Sequence, residues 1–106
     1  MKLTPAFAAA CLILGAPGAH AQDPALGRNL AATCANCHGT HGHSLGGNES
    51  LAGEPREKLL RKLEAFKSGE KPATIMHQIA RGYTPEQLAL IVDFFASQKA
   101  HEVTPR

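Results

Sequence analysis

The sequence has no tryptophan, a single tyrosine (Tyr83) and only 5% aromatic residues among its 106. Little flat surface is left on which nucleic-acid bases could stack. Neither charge sign dominates: 11 Lys and Arg stand against 9 Asp and Glu, which is no basic footprint for a polyanion. There is no apolar run of the roughly 20 residues that a membrane-spanning helix needs. No stretch alternates apolar and polar residues between turn signals, so no strand or hairpin is predicted, and no segment repeats another. Cysteine is scarce too, with only Cys11, Cys34 and Cys37.

What is present begins with a leader. Lys2 gives a positive start, residues 6–15 are apolar, Pro17 and Gly18 break the run, and Ala19-His20-Ala21 has the small-x-small pattern of a cleavage site. Residues 1–21 therefore read as a cleaved signal peptide and 22–106 as one exported domain, periplasmic in location. An uncleaved anchor is the alternative. Ala8-Ala9-Ala10-Cys11 resembles a lipoprotein box only faintly, because the strongest apolar residues follow the cysteine.

Cleavage after Ala21 leaves 85 residues, with ten Lys and Arg against nine Asp and Glu. A chain so short buries little apolar surface and ordinarily needs a staple. Its two remaining cysteines lie three apart and cannot join distant segments as a disulfide. The missing core must come from a bound group.

Three helices are predicted. Asp23-Pro24 supplies an N-cap and first helical residue, Leu26 and Leu30 share a face, and Gly39 stops the helix. A second starts near Pro55 with Glu54 and Glu57 at its positive end; Leu59, Leu63 and Phe66 form its buried stripe, with Leu60 beside them, and Gly69 closes it. Arg56, Lys58, Arg61 and Lys62 alternate with acids and read as its solvated face. Thr84-Pro85-Glu86-Gln87 opens the third as a capping box, with Leu88, Ile91, Val92 and Phe95 on one face to about Gln98. From Ala100 to Arg106 the chain reads as a frayed tail. The fold class is all-α.

The chemistry lies in Cys34-Ala35-Asn36-Cys37-His38. Cys-x-x-Cys-His is the attachment signature of c-type haem. Residues three apart on a helix share a face, so both thiols can reach vinyl groups on one side of a porphyrin, with the next imidazole beneath the iron. Cys34 and Cys37 are thus the expected thioether tethers and His38 the proximal ligand. A thioredoxin-like redox pair would need a βαβ setting, which the pattern lacks. Zinc could draw on Cys34, Cys37 and two of His38, His41 and His43, but so compact a cluster would organise little chain.

A sixth iron ligand is expected from Met76, the only methionine outside the leader, since Met/His is a usual electron-transfer pair. Pro72 bars a helix just before it, and Met76 is expected in a loop between the second and third helices, with Ile75 as apolar cover. His77, His41 and His43 are the other candidates, the last two in the glycine-rich loop 39–53 and otherwise exposed. Two protein ligands leave no open position, which argues against a haem enzyme or gas sensor.

These features resemble a class I cytochrome c, with one covalent haem wrapped by helices and loops. Ser50-Leu51-Ala52-Gly53-Glu54-Pro55, the helix end Lys62-Leu63-Glu64-Ala65-Phe66-Lys67-Ser68-Gly69 and the stretch from Ala73 through Met76 to Thr84 are similar, more narrowly, to the monohaem cytochrome subunit of flavocytochrome c sulfide dehydrogenase. That resemblance carries over Cys34, Cys37, His38 and Met76 as haem residues. It implies an FAD-containing partner that oxidises sulfide and passes electrons to the haem, this chain itself being no enzyme. A free soluble carrier between respiratory complexes is the alternative. Many related cytochromes place a proline near the position of Glu49, where a carbonyl accepts the proximal imidazole N–H; here the partner of His38 is left unassigned.

Overall fold

A computed structural model describes Asp23 and residues 25–100. The expected leader, Gln22, Pro24 and the tail from His101 onward lie outside the described residues. Within them the chain forms four helices and no strand: α1 (Leu26–His38), α2 (Arg56–Ser68), α3 (Met76–Arg81) and α4 (Pro85–Ala96).

Each boundary has a local cause. Asp23 does not cap α1 as a regular N-cap. Its Oδ1 accepts from the Ala25 N–H at 2.8 Å and its carbonyl from Leu26 at 2.9 Å, a turn that delivers the chain into a helix starting at Leu26. Gly39 ends α1 at φ +87°, where an added Cβ would overlap the His43 carbonyl. Pro55 precedes α2, Glu57 lies in its first turn, and Gly69 closes it at φ +82°. Thr84 and Gln87 complete the capping box of α4 in both directions, at 3.1 and 2.9 Å.

The expected three main helices are present, and α3 is a fourth that the sequence reading put in a loop. Met76 is its first residue. No side chain caps it, since Ile75 occupies the N-cap position, and Gly82 follows its end.

α1 packs on α4, and α2 packs on both α3 and α4. The core is Ala31, Leu59, Leu88, Ile91, Val92 and Phe95. Gly27 permits the α1–α4 approach: a Cβ there would stand 2.8 Å from the Leu90 carbonyl oxygen. The predicted stripe of α2 is only partly sealed. Leu59 is buried, but Leu63 and Phe66 are half-buried because their apolar faces line a cavity between the helices.

Candidate functional site

That cavity gathers the predicted chemistry. Cys34, Cys37 and His38 from the end of α1 line it on one side, Ile75, Met76 and Ile79 on another. Leu59, Leu63 and Phe66 of α2 and Ile91, Val92 and Phe95 of α4 complete an apolar wall, with Leu51, Asn48 and Glu49 at the loop edge. Four residues separated by up to 42 positions in sequence thus meet at one apolar cleft, which is the cradle a flat hydrophobic group with a central metal requires.

Cys34 is half-buried and Cys37 exposed, and the two are not joined as a disulfide. Burial pushes the Cys34 thiol up, opposed by its backbone hydrogen bond and reinforced by Cys37. The reactive thiol of a redox Cys-x-x-Cys is shifted the other way. Among the described residues no group of three or more His, Cys, Asp or Glu is arranged to hold a metal ion by itself.

His38 is fixed by its neighbours. Its Nδ1 lies 2.5 Å from the Glu49 carbonyl; with the imidazole donating there, Nε2 is left with the lone pair that a metal would take. The partner left open in the sequence is therefore the Glu49 main chain. Asn48 Nδ2 donates to the Cys37 carbonyl at 3.1 Å, satisfying an orphan acceptor at the end of α1. The Glu49 carboxylate pairs with Lys62 Nζ, and that hydrogen bond, more than the smaller attraction of Lys71 and Lys58, holds its pKa below the ordinary value.

The rival sixth ligands are placed elsewhere. His77 is absent from the cavity wall that Met76 and Ile79 share. His41 and His43 line a separate, shallower depression on the other side of Cys37, with Leu45 and Gly46, and the His41 ring lies 6.5 Å from that of Phe94. Three contributors were missed in sequence. The Glu49 carbonyl has no residue signature. Lys62 was assigned to a solvated face, and Ile79 becomes visible as a partner of Ile75 and Met76 only once α3 is known.

The chain matches the cytochrome c family model over residues 24–99, and it belongs to that family. It is an electron-transfer haem protein with a covalently attached haem c, of class I fold. Over 77 residues it is 39% identical to the cytochrome subunit of sulfide dehydrogenase of Chlorobaculum tepidum, covering 71% of this chain and 70% of that one. It is 38% identical over 91 residues to cytochrome c4 of Pseudomonas aeruginosa, covering 83% of this chain and 45% of the relative. Cytochrome c-554(548) of Halomonas halodenitrificans is 31% identical over 83 residues, 74% of this chain and 100% of the relative.

Proposed function

We propose that residues 1–21 are a cleaved export signal, and that residues 22–106 are the periplasmic cytochrome subunit of a sulfide-oxidising flavoprotein complex. Cys34 and Cys37 are the thioether tethers, and His38 and Met76 the axial ligands. The observation that carries the site assignment is the convergence of these four side chains on one apolar cleft, while His77, His41 and His43 lie off it. Bound haem supplies a one-electron centre. The chain's own residues hold it in a dry setting: Leu59, Leu63, Phe66, Ile91 and Val92 exclude water, and Glu49 orients His38. With both axial positions filled from the chain no site remains for a substrate, so the role is transfer.

The partner assignment rests on the similarity to a subunit of sulfide dehydrogenase. It also rests on exposed Ile75 (58%), an apolar contact point next to Met76, and on a net charge too small for long-range steering. Among the described residues no helix is long and apolar enough to cross a membrane. The test is capture with a tagged chain from the host, followed by reduction with sulfide. A flavin-containing exported protein should co-purify, and sulfide should reduce the haem far faster in the mixture than in the isolated cytochrome. A cytochrome that stays alone, with reduction indifferent to any flavoprotein, would instead be a free periplasmic carrier.

A further inference from the structure

The loop between α1 and α2 has no regular structure to hold it. It is tied near its ends, where the Gly42 carbonyl accepts from Leu51 at 2.8 Å and from Ala52 at 3.1 Å. A further tie crosses the loop, where Ser50 Oγ accepts from the Ser44 N–H at 3.0 Å, but the stretch it encloses is open to solvent: Leu45 is 98% exposed, and a Cβ at Gly46 or Gly47 would meet nothing within 4 Å. Glu49 follows that exposed stretch, and its carbonyl is the acceptor for His38 Nδ1. Beside the Asn48 bond to Cys37, what reaches Glu49 from a rigid element is Lys62. This lysine sits in the middle of α2 and its side chain is only 25% exposed.

We propose that the Lys62–Glu49 ion pair positions His38: by tethering the Glu49 carboxylate to α2, it holds the Glu49 carbonyl against His38 Nδ1 and so sets the donor strength of that imidazole. A half-exposed ion pair alone contributes little to stability. Here it acts on a residue whose main chain has a second task. A firm acceptor at Nδ1 makes the other ring nitrogen a stronger donor, which favours the ferric state. A loosened acceptor weakens it and raises the reduction potential. Lys62, which also stands at the edge of the cleft, is thus a positioning residue that acts on His38 through Glu49.

The inference rests on His38 as an axial ligand, which is checked first and separately in the wild-type haem protein by the iron-shifted imidazole resonances. Their absence would remove the site assignment itself, before any variant is compared. Four haem-loaded variants are then measured: Lys62→Met, Glu49→Ala, the double variant and Lys62→Arg. Positioning predicts that Lys62→Met and Glu49→Ala both raise the potential, and that the double variant goes no further than the larger single shift. Exchange of the His38 Nδ1 proton should become about two- to fivefold faster, the factor an exposed pair is worth, and Lys62→Arg should restore most of both signals. A direct field from the two charges predicts the opposite pattern: losing the cation lowers the potential, losing the carboxylate raises it, and the effects add. Shifts of opposite sign, unchanged potentials, or an Nδ1 proton indifferent to both substitutions would overturn the proposal.

Discussion

Two glycines four residues apart in the α1–α2 loop should respond in opposite ways to the same methyl group. Gly42 is buried at φ +82°, and a Cβ there would lie 2.7 Å from the Ala52 nitrogen and 2.8 Å from Phe95 Cδ1. Phe95 is 2% exposed and cannot swing aside, and Ala52 N–H already donates to Gly42. The left-handed conformation costs a Cβ-bearing residue about 1–2 kcal/mol, and overpacking adds about 1–3 kcal/mol. Gly42→Ala should therefore destabilise the fold by about 2–5 kcal/mol. Gly46 has no positive φ and nothing within 4 Å of a Cβ. Gly46→Ala should be neutral or stabilise by up to about 1 kcal/mol, through the unfolded chain. Equilibrium denaturant titration of the haem-loaded proteins, compared at equal slope, reads both. Stabilities within about 0.5 kcal/mol of each other, the scatter of ordinary surface changes, would refute the packing described for this loop.

Other outcomes follow from the same packing. Phe95→Ala removes a fully enclosed core ring that also walls the cleft; it should cost about 3–5 kcal/mol in denaturant titration. Thr84→Ala breaks the capping box of α4 and should lower stability by about 0.5–2 kcal/mol, with the visible spectrum unchanged. Met76→Ala should abolish the weak near-infrared sulfur-to-iron band of the ferric protein, lower its potential and open the iron to carbon monoxide. An unchanged spectrum would move the sixth position to a histidine.

How much of this was legible differs from element to element. α4 could be read almost to the residue, because Thr84, Pro85 and Gln87 each carry a start signal in their side chain and Leu88 to Phe95 keep one apolar face. The start of α1 was misplaced because Asp23 acts two residues ahead of the N-cap position, bonding to Ala25. α3 escaped because six residues show no period and Ile75 offers no capping oxygen. Within the site, Cys34, Cys37 and His38 fall within five residues and stand out by their spacing, and Met76 was proposed by elimination. The acceptor for His38 was not, because a main-chain carbonyl looks the same at every residue. Lys62 was read as solvated because its helix face is mixed in charge. By contrast the Glu54–Lys58 pair, at 2.6 Å, is only four residues apart across the start of α2; Lys62 reaches Glu49 across 13 positions of loop and helix.

The central claim is that Cys34 and Cys37 carry one haem covalently in the exported chain, and intact mass spectrometry under denaturing conditions tests it most directly. Protein from a host competent in haem attachment should show the chain beginning at Gln22 plus a single haem, while the Cys34→Ala, Cys37→Ala double variant should show none. A wild-type mass equal to the bare polypeptide, or haem that leaves on denaturation, would contradict the account.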